Sequence, residues 1–221
     1  RRLRGLALHS KVVIVTRRAL LAVGTVLLKA TEDITWLGAF FQSVSARTAG
    51  FSTYPIGQFT NAGLFTLCVL MFIGAAPGST GGGIKVTTTA VIIMTAVSII
   101  RGREEPYMLK RRIAASVVYR SLAIMFLGVV VVGATTMILM ATSPLGQNAL
   151  TGLDATFEAV SGFATVGVSS GVTAVSTPIS KIALILSMFI GRVGPVSFGL
   201  SLAGKSTSRK VILPEGKIIV G

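Results

Sequence analysis

From Ser121 to Ala141 the chain runs 21 residues without a charged side chain. A helix of roughly 20 apolar residues crosses about 30 Å of hydrocarbon, where lipid offers backbone groups no hydrogen-bond partner outside the helix itself. This segment therefore predicts a membrane span. Ile182 to Gly204 has the required length too, interrupted only by Arg192, and Leu64 to Ile73 followed by Ile84 to Ile100 reads as one span broken by a glycine-rich insert. The opening span is less regular. Arg17 and Arg18 interrupt its apolar run and leave only Ala19 to Leu28 before Lys29, so its boundaries are not fixed by pattern. Hydrophobic residues make up 52% of the chain and charged residues 13%, about half the share usual in soluble domains, which excludes a water-facing surface over most of it. The expected fold class is all-α integral membrane.

A net charge of +14 raises the question of a nucleic-acid partner, and the placement of the basic residues answers it. They gather at span edges: Arg1, Arg2, Arg4 and Lys11; then Arg101, Arg103, Lys110, Arg111 and Arg112; then Lys205, Arg209, Lys210 and Lys217. Basic residues concentrate in cytoplasmic loops, so these three clusters, and with them the C-terminus, are expected on the inner side of a multi-pass plasma-membrane protein, with no nucleic acid bound. No Lys or Arg lies between Arg120 and Lys181, whereas Glu32, Asp33, Asp154 and Glu158 fall on the outer side. Cys68 and His9 are single residues of their kinds, which excludes an internal disulfide and a His/Cys metal cluster.

An internal repeat organises the chain. Phe41-Gln42-Ser43-Val44-Ser45 matches Phe157-Glu158-Ala159-Val160-Ser161 at an offset of 116. Thr48-Ala49-Gly50-Phe51-Ser52 then matches Thr165-Val166-Gly167-Val168-Ser169 at 117, as does Met71-Phe72-Ile73-Gly74 with Met188-Phe189-Ile190-Gly191. Repeats fix architecture before any other signal. The unit is an apolar span, a short half-apolar helix (about 34–45 and 153–161), a Thr-x-Gly turn and a second span, which divides the chain into 1–111 and 112–221. Such half-helices are too short to cross the bilayer and must re-enter it, and non-helical backbone is tolerated at that depth only beside protein or a water-filled cavity. The competing reading leaves Gly50 and Gly167 as ordinary loop ends outside the membrane.

A potassium filter needs carbonyl oxygens that replace the ion's hydration shell, and glycine accepts the positive φ angles that turn successive carbonyls toward one axis. Thr165-Val166-Gly167-Val168 resembles the first part of the Thr-Val-Gly-Tyr-Gly filter of potassium channels, and Thr48-Ala49-Gly50-Phe51 is a looser copy. Both lack the second glycine, which predicts fewer well-formed ion sites than in a true channel.

Ser45-Ala46-Arg47-Thr48-Ala49-Gly50-Phe51, the run Gly-Ser-Thr-Gly-Gly-Gly-Ile-Lys at 78–85, Met-Phe-Ile-Gly-Arg-Val-Gly-Pro at 188–195 and Leu-Pro-Glu-Gly-Lys at 213–217 together resemble the ion-translocating subunits of the Ktr/Trk/HKT superfamily, most nearly those of KtrB type. The resemblance implies four such repeats around one pore, of which this chain supplies the third and fourth. Two filter strands cannot enclose an ion, so either an N-terminal half is absent from this sequence, as the Arg1 start favours, or two copies share one pore. It further implies K+ held by the backbone carbonyls of Thr48, Ala49, Gly50, Phe51, Thr165, Val166, Gly167 and Val168. A homodimer and a cytoplasmic nucleotide-binding ring of the KtrA or TrkA type are implied as well. No cofactor is expected in this chain, nucleotide is expected only on the partner, and sodium is admitted as an activator.

Gly74, Gly78, Gly81, Gly82, Gly83 and Pro77 fall inside what would otherwise be one hydrophobic helix, so its hydrogen-bond ladder should fail there. By resemblance this is an intramembrane gate loop comprising Gly78, Ser79, Thr80, Gly81, Gly82 and Gly83, with Arg192 beneath the filter donating to loop carbonyls. Ser79 and Thr80 can bond freed backbone groups. A phosphate-binding loop is the rival for 78–85, but the Walker spacing requires Lys where Ile84 stands. Arg192 has the alternative of a buried structural pair, with Glu158 as a candidate. Arg47 is expected to bond outer-loop carbonyls or to lie free on the surface. The four outer acids would enrich cations at the pore mouth or stand as solvated loop acids, and the inner basic loops would meet a partner or anionic lipid headgroups.

The expected activity is regulated, passive potassium uptake with no chemistry performed on a substrate, so not an enzyme. The alternatives are a secondary cation-coupled transporter with a broken-helix substrate site, which the same-orientation repeats oppose, and a non-conducting assembly subunit.

Overall fold

The computed structural model describes residues 7–79, 81–102, 106–108, 111–142 and 151–197. Thr80, the basic cluster from Lys205 onward and the motif at 213–217 lie outside them.

The first helix, α1 (Leu8–Thr31), passes through Arg17 and Arg18 without a break. Both arginines are exposed on the helix surface, so their long side chains leave the backbone ladder intact. The short helix α2 (Trp36–Ser45) follows, then the first Thr-x-Gly turn, a 3₁₀ turn (Ile56–Gln58) and α3 (Asn61–Phe72). The glycine-rich segment separates α3 from α4 (Val86–Ile100). A two-residue hairpin, β1 (Tyr107–Met108) with β2 (Arg111–Arg112), pairs Tyr107 with Arg112 and precedes α5 (Ala115–Thr142), an addition to the all-α expectation. The second unit continues with α6 (Gly152–Phe163), the second Thr-x-Gly turn, α7 (Val172–Val175) and α8 (Pro178–Val193).

α5 has 28 residues, about 42 Å of helix, and is the one described helix both long and apolar enough to cross a bilayer alone. Only 22% of its most apolar stretch is buried within the chain. Phe126, Met137 and Val129 stay exposed on it, as do Ile182, Ile185 and Phe189 on α8, an apolar surface far larger than a water-soluble protein sustains. Ile182 to Gly204 was expected to be one helix. α8 instead starts at Pro178, whose missing N–H costs nothing in the first turn, and stops at Val193, because Gly194 adopts φ 95°.

The two units repeat their helix starts. Thr35 caps α2 by accepting from the Gly38 N–H, and Thr151 caps α6 through the Asp154 N–H. Thr60 and Thr177 do the same for α3 and α8, through Gly63 and Ser180. Each hydroxyl satisfies an amide that the helix cannot.

The core is the ring of apolar contacts that α6 makes with α3, α5 and α8. Phe157 and Phe163 are wholly buried there with Met71, Leu28 and Ile84. Small residues permit the approach: a Cβ at Gly191 of α8 would collide with the Phe163 carbonyl, and one at Gly24 of α1 would stand 2.5 Å from the Ser43 hydroxyl. Close backbone approach at glycine is how membrane helices gain contact without a hydrophobic drive between them.

Because the obstacle at Gly191 is main chain rather than a movable side chain, Gly191→Ala is expected to lower the thermal unfolding midpoint of the intact protein in detergent by several degrees. Gly133→Ala on α5, where nothing lies within 4 Å, should leave it unchanged or raised.

Candidate functional site

Each short helix ends in the same way. After Ser45 the chain turns through Thr48 at φ 73° and Gly50 at φ 79°; after Phe163 it turns through Thr165 at φ 53° and Gly167 at φ 86°. Positive φ on a β-branched threonine costs on the order of 1–2 kcal/mol and persists only where surroundings hold it. The holding groups are repeated. Ser45 donates its hydroxyl to the Phe51 carbonyl, and Ser161 donates to the Val168 carbonyl at 2.5 Å. One helical turn earlier, Gln42 donates to the Ser52 hydroxyl at 2.7 Å, while Ser169 donates to the Glu158 carboxylate. Glu158 also accepts from the Thr173 N–H at 3.3 Å. Ser52 and Ser169 in turn accept from the amides two residues on, Tyr54 at 3.4 Å and Gly171 at 2.9 Å. Thus each half-helix clamps the far side of its own turn twice.

The two turns meet. A Cβ on Gly50 would collide with the Val166 carbonyl, so the first turn passes directly against the second. Val166 and Val168 are buried, Thr48, Gly50 and Thr165 are half-buried, and Ala49, Phe51 and Gly167 are exposed.

The glycine loop lies against both turns. Gly82 donates its N–H to the Thr165 hydroxyl at 2.7 Å, and a Cβ on Gly81 would stand 2.5 Å from the Thr48 hydroxyl. Gly83 donates to the Gly191 carbonyl at 3.3 Å. The loop's neck is pinned by a parallel bridge between Ile73 and Ile84, with Gly74 donating to the Ile84 carbonyl at 2.8 Å and Val86 to the Ala75 carbonyl at 3.2 Å. Gly78 and Ser79 form an exposed tip in which the Ser79 hydroxyl donates to the Ala76 carbonyl at 2.7 Å. Of the residues singled out as a gate, Gly81, Gly82 and Gly83 are buried against the turns, whereas Gly78 and Ser79 point away from them.

Four sequence expectations require correction. Arg192 is exposed and makes no hydrogen bond to the loop among the described residues; the cation that donates to a loop carbonyl is Lys85, which bonds Gly81. Arg192 lies close enough to Lys85 for the two charges to repel. Arg47 donates to the Arg17 carbonyl of α1 at 3.0 Å rather than to an outer loop, and its Nε is buried without a partner. Glu158 is 4% exposed and serves the second turn, so it is neither a mouth acid nor a partner for Arg192. Glu32 accepts both the Thr60 hydroxyl at 2.7 Å and the Thr60 N–H at 3.0 Å, tying the end of α1 to the start of α3. Lys85 and the serine clamps were missed. Lys85 carries a signal, a lone cation inside an apolar segment, beyond its place in the motif at 78–85.

A protein of two like units, each setting a short capped helix before a left-handed turn inside an apolar bundle, belongs among membrane transport proteins. The profile of TrkH, described as a cation transport protein, matches residues 6–212, and the chain belongs to that family. It is 36% identical over 98% of its length to Ktr system potassium uptake protein B of Vibrio alginolyticus, covering 49% of that protein. It is 34% identical to Ktr system potassium uptake protein D of Bacillus subtilis, over 87% of this chain and 42% of that one. Against the potassium/sodium uptake protein NtpJ of Enterococcus hirae it is 32% identical over all of this chain and 51% of that one. The crystal structure of the potassium transporter TrkH from Vibrio parahaemolyticus shares the fold, with a TM-score of 0.67 and 24% identity over 90% of this chain and 44% of that one. The chain thus spans about half the length of the curated relatives it matches.

Since Gln42 occupies in the first unit the place of Glu158 in the second, Glu158→Gln should preserve stability to within about 1 kcal/mol. Glu158→Leu, which leaves the Ser169 hydroxyl and the Thr173 N–H without their acceptor, is expected to cost roughly 1–3 kcal/mol by chemical unfolding of the intact protein in detergent.

Proposed function

We propose that this chain forms half of a potassium uptake pore in the plasma membrane, with the turns at 48–51 and 165–168 contributing backbone carbonyls to a selectivity filter. The observation that carries the reading is the meeting of the two turns, Gly50 against the Val166 carbonyl, with the glycine loop bonded beneath Thr165. Carbonyls turned by positive φ are the groups that replace water around a dehydrated K+. The names of the Ktr and NtpJ relatives support potassium as the transported ion and admit sodium. The chain performs no reaction on its cargo, in keeping with relatives that are transporters.

The glycine loop acts as the gate. Residues 81–83 occupy the space against the filter threonines, held by Lys85 on the Gly81 carbonyl, and a resting ion there also meets the charge of Arg192. Two more turns complete the ring, supplied by a further half of the protein. The assembly is a homodimer with its C-termini in the cytoplasm, where the basic loops lie and a nucleotide-binding ring docks; the relatives' designation as parts of a Ktr system supports such a partner.

Liposomes holding the intact protein should take up rubidium down its gradient without any counter-substrate; uptake that requires an exchanged or co-transported solute would assign a coupled transporter instead. Gly167→Ser places a side chain at φ 86° and should reduce discrimination of potassium over sodium about tenfold or more, and unchanged selectivity would remove the filter assignment. Deleting residues 78–83 should raise basal flux severalfold, whereas flux that stayed low and regulated would exclude the gate.

A further inference from the structure

A cavity of about 630 Å³ opens between the starts of α1, α4 and α5. Its volume is in the range of ligand sites. Its lining interleaves cations with apolar side chains: Val117, Arg120 and Ile124 follow one another at three- and four-residue spacing on one face of α5, with Arg112 of β2 before them and His9 of α1 and Val91 of α4 across the cavity. Ile124 lies about 13 Å deeper along the axis than Ala115. No carboxylate among the described residues lines the cavity, and Arg120 makes no ion pair among them. The cavity therefore offers cations beside an apolar strip.

We propose that this cavity is a binding site for an anionic phospholipid of the inner leaflet, its phosphate held by Arg120 and Arg112 beside His9 and one acyl chain seated on Val117, Val91 and Ile124. Anionic headgroups bind basic pockets between membrane helices, each cation contributing on the order of 1 kcal/mol. The inference rests on the chain spanning a bilayer and not on which ion it conducts.

The test is native mass spectrometry of the delipidated intact protein titrated with phosphatidylglycerol or phosphatidylcholine. Phosphatidylglycerol should bind at least about tenfold more tightly, and the double variant Arg112→Ala/Arg120→Ala should weaken it roughly 30-fold while leaving phosphatidylcholine unchanged. Val91→Phe, which fills the apolar strip and keeps both cations, should also weaken phosphatidylglycerol. Equal affinity for the two lipids would overturn the proposal, as would a double variant that binds like the wild type. Inorganic phosphate that binds with the same arginine dependence but ignores Val91→Phe would make this a free-anion site. An acidic peptide that competes for the arginines without displacing lipid would make it a protein-docking site. Rubidium flux measured on the same variants separates failure here from failure of the conduction reading.

Discussion

Inside hydrocarbon, a carbonyl turned out of a helix must be held by another group of the protein or face a polar cavity, and the arrangement of this chain follows from that demand. Two short helices stop at mid-bundle and give up their ladders within a few residues. The side-chain hydroxyls take over: threonines close the starts of α2, α3, α6 and α8, and Ser45 and Ser161 hold the strands beyond the turns. Without these donors the left-handed threonines would relax to ordinary backbone, and the carbonyls would lose their direction.

The shared design makes the differences between the units informative. Gly74 and Gly191 occupy equivalent places, and both are points of tight main-chain approach, one to Gly82 and the other to Phe163. One residue later the units part. Ala75 leads into the glycine loop, which folds back between the turns and α8, whereas Arg192 stands exposed at the end of a helix that stops one residue on, at Val193. The first unit thus carries the glycine loop and the second the charge beside it.

Much of this was legible in residues. The length and apolarity of α5, the short helices before each turn, and the breaking of the span from Leu64 to Ile100 by Pro77 and its glycines followed from composition, period and repeat, since lipid leaves few alternatives. The resemblance carried by the motifs at 45–51 and 188–195 agrees with the family match. What pattern could not give was the role of polar side chains. Glu158 and Glu32 look alike as outer-side acids, yet each is spent on hydroxyls and amides brought near only by folding. Arg192 and Lys85 are both lone cations in apolar sequence, and only the fold shows Lys85 turned toward the loop. α1 defied the apolar-run rule because arginine side chains can lie along a helix surface without interrupting its backbone.

The bridge between Ile73 and Ile84 has a mechanical consequence. It ties the two ends of the intervening segment together, so rearrangement between them leaves the spacing of α3 and α4 unaltered. The glycine segment is thus an excursion from a fixed neck rather than an open join between the two helices. For so short a closed stretch, closure entropy varies only with the logarithm of its length. Its position is then set by a handful of hydrogen bonds, from Gly82 to Thr165, from Gly83 to Gly191 and from Lys85 to Gly81.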